Sequence, residues 1–118
     1  MSKWKKHFVL DVESDGPAVG LYNMISFGLV SVADPAKGYL GEVSPIVANA
    51  GISQARDVVG VSYETQRTFR TPIVVMAEAV AWVKSITRGQ RAVFWSDNPA
   101  FDWPFWNWSC DRLVGEKA

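Results

Sequence analysis

Apolar positions along this chain fall into stretches of two kinds, some of strand length and one of helical period. His7 to Val12 is a short apolar run that ends in Asp11 and Glu13, and it predicts a first strand giving way to a turn-rich loop over Ser14 to Leu21. Met24 to Ala33 predicts a second strand. It is rich in Ile, Phe, Leu and Val and is interrupted by Ser26, Gly28 and Ser31, small residues that let another backbone or a ligand come near. Asp34-Pro35-Ala36-Lys37-Gly38 carries the chemistry of a hairpin loop. Tyr39 to Val47 predicts a third strand, which Pro45 limits to an edge or an early end. An antiparallel meander is the expected arrangement of these three.

Ala48 to Val61 has no clear period. Ser62 to Phe69 predicts a short helix capped by Ser62. Thr71-Pro72 opens a longer one over Ile73 to Ile86, with proline at the first helical position. Ile73, Ala77, Val80 and Lys84 line one face, and Met76, Trp82 and Val83 widen it. Thr87 to Gln90 ends that helix. Arg91 to Ser96, apolar throughout Ala92-Val93-Phe94-Trp95, predicts an interior strand parallel to the first through the helical crossover. Pro104 places the start of a last helix near Asp102 or Trp103, because proline is tolerated in the first turn. Three strands, helix, strand, helix is an α/β order.

With 118 residues the chain has the length of one domain, residues 1–118. Lysine plus arginine and aspartate plus glutamate both number 12, so no broad basic footprint supports tight non-specific duplex binding. The single cysteine, Cys110, excludes an intrachain disulfide and a cysteine-rich zinc site, and it suits a reducing, cytoplasmic setting. No apolar run approaches the roughly 20 residues of a membrane helix. The basic segment from Met1 to Lys6, with Lys3, Lys5 and Lys6 around Trp4, reads as an ordered lead-in and not as a signal peptide. Six tryptophans are present, with Trp95, Trp103, Trp106 and Trp108 clustered late. They are expected to pack a small core and to leave an aromatic face that favours self-association.

The candidate chemistry lies in carboxylates. Strand side chains alternate between faces, so Asp11 and Glu13 project together. Two like charges that close resist ionising unless a cation sits between them, and oxygen ligands suit Mg²⁺ or Mn²⁺. Downstream, Ser96-Asp97-Asn98-Pro99-Ala100-Phe101-Asp102 marks a helix start. Asp102 there is at least a charge favoured by the positive helix end. With the fourth strand beside the first, Asp102 comes off the same sheet edge as Asp11 and Glu13, and three carboxylates converge. Asp97 is its nearest competitor, and Asn98 is placed to hold the turn.

Asp11-x-Glu13 ending a first strand, then a meander, a helical crossover and Asn98-x-x-Phe101-Asp102, resembles the DnaQ-like (DEDD) 3′–5′ exonucleases on a ribonuclease-H-like fold. The resemblance runs from Phe8 to about Trp106. It implies a mixed sheet with strands one to three antiparallel and strand four parallel. It also implies two-metal hydrolysis of terminal phosphodiesters at 3′ ends of single-stranded DNA or RNA. In that scheme Asp11 bridges both ions, and Glu13 holds one and orients the water or the terminal 3′-hydroxyl. Asp102 holds the second ion directly or through water. Ser14 and Gly16 offer backbone to the terminal nucleotide, and Phe101 or Trp103 presses on its base. The family's third motif, a histidine or tyrosine followed by a fourth carboxylate, has no counterpart here. Asp111 comes too early, and His7, the sole histidine, precedes the first motif. The C-terminal strand and helices of the family are expected to be missing, which leaves an incomplete domain of impaired activity. A catalytically weak ribonuclease-H-like module that binds nucleic acid or a protein is the alternative, and a plain α/β interaction domain is a third reading.

Overall fold

Alternation in the first apolar run sets the architecture. In the computed structural model, which describes residues 3–116, β1 (His7–Ser14), β2 (Met24–Ser31) and β3 (Gly38–Glu42) form an antiparallel meander. Strand β4 (Val93–Trp95) lies parallel to β1, and the order across the sheet is β3-β2-β1-β4. Phe8, Leu10 and Val12 turn inward opposite Leu29 and Phe27, while Val9, Asp11 and Val30 face outward. Four helices accompany the sheet among the described residues: α1 (Ser53–Val59), α2 (Tyr63–Gln66), α3 (Pro72–Thr87) and α4 (Pro99–Ser109). A π-helical turn, Cys110–Val114, follows α4. Of the basic lead-in, residues 1 and 2 lie outside the described residues.

The core is the inner sheet face closed by α3 and α4. Val75, Met76, Ala79, Val80 and Val83 are its α3 side, and Phe105 and Trp106 its α4 side. Each Val, Met or Phe among them, taken fully out of water, stabilises the fold by roughly 1.5–3 kcal/mol. The buried stripe of α3 therefore differs from the expected one. Ile73 is exposed, Ala77 and Lys84 face solvent, and Lys84 pairs with Glu116 at 3.0 Å. From Ile73 to Ala81 every residue but Glu78 is apolar, so more than one helical stripe fits the sequence, and packing on the sheet selects between them.

Three other elements depart from expectation. Strand β3 stops at Glu42, short of Val47: Val43 N–H donates to Ile25 O (3.0 Å) and Ser44 N–H to Arg70 O (2.9 Å), which carries the chain off the sheet before Pro45. Strand β4 is an edge of the described sheet and not interior; Phe94 packs on Trp106 (5.3 Å between ring centres) while Val93 and Trp95 point out. Helix α4 starts at Pro99 and holds Pro104 inside it. The Asn98 carbonyl accepts from the Phe101 and Asp102 amides (3.0 and 2.9 Å), so the first turn closes ahead of Pro104. Proline at 104 then removes only the bond to the Ala100 carbonyl. Helix α1 fills part of the stretch without period. Ser62 caps α2 as expected, its Oγ accepting from Thr65 N–H at 3.1 Å.

The late tryptophans divide. Trp106 is buried between Phe27 and Phe94, whereas Trp95 and Trp103 are partly exposed. Among the described residues no helix is long and apolar enough to cross a membrane.

Candidate active site

Strand β4 pairs with β1 only over His7 to Val9. Beyond that point a side chain takes over. Asp102, buried in the first turn of α4, accepts a hydrogen bond from Val12 N–H through Oδ1 at 3.1 Å. Val12 is the residue between Asp11 and Glu13, so Asp102 is held against β1 beside the two acids named from the sequence. The other oxygen of Asp102 accepts from Ser96 Oγ, and Ser96 Oγ also accepts from Asn98 N–H at 3.1 Å. The turn into α4 is thus held by the Ser96 side chain and the Asn98 backbone, and the Asn98 side chain makes no capping bond. Ser96 had no role in the sequence reading. Its only signal was its place two residues before a helix-capping Asn.

Asp11 is exposed and Glu13 half-buried, both on the outer sheet face. Across β2 they stand opposite Gly28 and Ser26, which leave clear ground: a Cβ at Gly28 would meet nothing within 4 Å. Ser31, the third small residue, is instead buried and accepts from Asp34 N–H (3.3 Å). A β-bulge places Ile25 as an extra residue opposite the Glu13–Ser14 step, and Ile25 is fully buried. Bulges of this kind bend a strand and re-aim its side chains.

The electrostatics follow from the crowding. Partial burial, then Asp102, then Asp97 hold the Asp11 carboxyl above its ordinary 3.8, opposed by the Val12 N–H. Burial, then Asp11, then Asp102 hold Glu13 above 4.5. Groups whose folded pKa is raised stabilise the fold fully below their unfolded pKa and lose that contribution as pH rises through the folded one. Without divalent ions, the urea midpoint is therefore expected to fall as pH climbs from about 4 toward neutrality through these two groups, and to fall less in Asp11→Asn. A midpoint equally pH-dependent in both proteins would remove Asp11 from this cluster.

The donor set is all carboxylate oxygen and short of positive charge, which fits a hard divalent cation. Among the described residues no three acidic, histidine or cysteine groups stand together tightly enough to enclose an ion. Both Asp102 oxygens are turned to Val12 N–H and Ser96 Oγ, leaving Asp11 and Glu13 as the open pair. Asp111 lies exposed on the π-helical turn.

Glu13 also borders an open groove of about 450 Å³ whose lining includes Ser14, Gly16, Pro17, Val58 and Phe101. The Ser14 hydroxyl is committed to its own turn, donating to Gly16 O at 2.6 Å. Gly16 is required by a neighbour: a Cβ there would stand 2.1 Å from the Tyr22 ring. Phe101 faces the groove; Trp103 does not line it and leans on Phe94 (5.7 Å).

A buried polar network, unseen in the sequence, anchors this corner. Asp15 is wholly buried; it accepts from Arg56 Nη2 (2.8 Å), Asn23 N–H (2.6 Å) and Asn23 Nδ2 (3.1 Å). Arg56 also donates to Gln66 Oε1 at 2.8 Å, and Gln66 Nε2 to the carbonyls of Met24 and Val43. Gly51, at φ +77°, passes so close that a Cβ would lie 2.4 Å from Asp15.

No protein-family model matches the chain. Over 116 residues it is 33% identical to the 3′-5′ DNA exonuclease Cap18 of Escherichia coli, a match covering 96% of this chain and 62% of that protein's length. Among solved structures, a zinc-bound complex of E. coli exonuclease I with single-stranded DNA superposes with a TM-score of 0.72 at 14% identity, covering 91% of this chain and 23% of the other. The nuclease domain of 3′hExo, a DEDDh family member bound to rAMP, gives a TM-score of 0.68 at 15% identity, over 99% of this chain and 62% of that one. The structural likenesses establish the mixed-sheet fold, and the sequence match extends over 96% of the chain. The chain has the ribonuclease-H-like fold of these exonucleases and spans 62% of the length of the curated relative it matches.

Proposed function

We propose that residues 1–118 act as a single 3′–5′ exonuclease domain that removes terminal nucleotides from single-stranded nucleic acid, DNA first, with two Mg²⁺ or Mn²⁺ ions. The observation that carries this reading is the bond from Val12 N–H to Asp102, which brings the second acidic motif against the first. Cap18, matched at 33% identity, is named a DNA exonuclease, and the exonuclease I complex holds single-stranded DNA.

In this reading Asp11 and Glu13 hold cations on the outer sheet face, and Asp102 joins them directly or through water. When bound, the ions lower the pKa of the attacking water and stabilise the leaving 3′ oxygen. The chain's own part is positional. Ser96 and the Val12 amide fix Asp102, the Asp11–Glu13 spacing along β1 sets the pair, and Ser26 and Gly28 leave room for a phosphate. Ser14 and Gly16 offer backbone along the groove, where Phe101 meets the terminal base; Asn98 orders the approach, and Trp103 acts farther out. A cytoplasmic location and self-association through exposed aromatic surface belong to the same proposal.

The second reading, a weakly catalytic module that binds nucleic acid, draws on the engagement of both Asp102 oxygens by Val12 N–H and Ser96 Oγ. A 5′-labelled single strand separates the two. Incubation with Mn²⁺ is expected to give a ladder shortening from the 3′ end that EDTA stops. An intact strand after incubation with either Mn²⁺ or Mg²⁺ leaves the binding module.

A further inference from the structure

The turn between β4 and α4 carries a relay of hydrogen bonds that ends on Asp102. Asn98 N–H donates to Ser96 Oγ at 3.1 Å. That bond takes up one lone pair of the hydroxyl, and the hydroxyl's single proton goes to Asp102 Oδ2. From the other side, Val12 N–H donates to Asp102 Oδ1 at 3.1 Å. Asp102 is buried, so the relay runs inside the fold and ties the start of α4 to β1.

Two donors do what one cannot. The last torsion of an aspartate is broad and roughly two-fold. A single bond at Oδ1 leaves the carboxylate plane free to turn, and a second donor from a different segment fixes it. Val12 N–H is also shared, since it acts on the Asp11 carboxyl and opposes its upward shift. An ionised carboxylate has about four lone-pair sites. Val12 and Ser96 take one on each oxygen, and the others are given a set direction.

We propose that Ser96 is a positioning residue for the divalent cation, orienting Asp102 toward the Asp11–Glu13 pair without touching the ion itself. This role rests on the cation reading of the three carboxylates and adds to it a residue outside both acidic motifs. Hydrogen-bond partners of metal-holding groups matter about 10–100-fold for metal affinity. The competing role is a plain turn. A serine hydroxyl that accepts from the backbone two residues on closes many loops, and in that role it would act on folding and not on the cation.

The test titrates the protein with Mn²⁺ and follows the electron paramagnetic resonance of the free ion, with no nucleic acid present. Ser96→Ala is expected to weaken Mn²⁺ about tenfold or more, and Ser96→Thr, which keeps the hydroxyl, to restore it. In an Asp102→Asn background Ser96→Ala is expected to change Mn²⁺ affinity no further, because residues that act through one another are not additive. Ser96→Cys, close in shape but a weak donor, gives the same reading should Ser96→Ala fail to fold. Equal Mn²⁺ affinity in Ser96→Ala and the wild type overturns the proposal, and a loss of urea stability in EDTA alone makes Ser96 a turn residue. An undiminished effect of Ser96→Ala in the Asp102→Asn background overturns it too. If Ser96→Ala weakens Mn²⁺ while the wild type trims no single strand, the exonuclease reading fails alone. If the wild type trims and Ser96→Ala binds Mn²⁺ as it does, this proposal fails alone. A wild type that neither binds Mn²⁺ nor trims overturns both.

Discussion

Asp11→Asn is expected to lower metal-dependent trimming of a single strand by about 10³-fold, the several kcal/mol that a correctly held cation supplies to charge in the transition state, at 1.36 kcal/mol per decade. Asparagine has nearly the shape of aspartate and leaves the strand pairing with Gly28 intact. It removes one member of a crowded set, since Asp102 and Asp97 both push the Asp11 carboxyl upward. In EDTA the variant should therefore be at least as stable as the wild type, and that combination is what identifies Asp11 as functional. The counterpart is Asp102→Ala, which strips the buried Val12 amide of its acceptor. It should lose activity and also about 1–3 kcal/mol of stability, the cost of a buried donor left unsatisfied. Steady-state trimming of a labelled oligonucleotide, beside urea unfolding, reads both. Trimming within tenfold of wild type in Asp11→Asn would end its assignment as a metal ligand.

The largest loss of stability is expected from Arg56→Met. Asp15 has no exposure at all and relies on Arg56 Nη2 at 2.8 Å for its counter-charge. Removing one partner of such a pair costs about 3–5 kcal/mol, because the other charge remains buried and uncompensated. Domains of this size have about 5–15 kcal/mol in total, so the variant should be close to unfolding at ambient temperature. Asp15→Asn keeps one acceptor, for Asn23 N–H, but puts an NH₂ donor where an oxygen accepted from Arg56 Nη2 and Asn23 Nδ2; Arg56 retains its bonds to Gln66 Oε1 and Ala50 O, and the loss should be smaller. A second change, Asp15→Leu in the Arg56→Met background, removes the stranded charge and should recover part of the deficit. Urea midpoints across this set check the ordering. Near-additive losses in the double variant would show that the two side chains act independently.

The sequence disclosed strands and acids better than helices, for reasons visible in single residues. Phe8, Leu10 and Val12 alternate cleanly with Asp11 and Glu13, so both the strand and the face of the carboxylates were readable. The parallel partner followed from one crossover helix. Helix α1 was hidden because its anchor is Arg56, a charged residue serving as a buried one, which no hydrophobic period can register. Pro104 misplaced the start of α4, since proline usually ends or begins a helix and here sits within one. The buried stripe of α3 was ambiguous because Ile73, Val74 and Ala77 are as apolar as the residues that pack. Ser96 and the Asp15 network depend on partners far along the chain, and nothing local marks them.

The bond from Val12 to Asp102 joins residues 90 positions apart. Closing so long a loop adds little to the equilibrium cost, about 0.6 kcal/mol per doubling of length, but contacts of this range form slowly. During synthesis the N-terminal acids emerge well before their distant companion. The ribosome-bound chain thus passes through a period with an orphan Asp–Glu pair and no third acid beside it, which ends when α4 docks on β1.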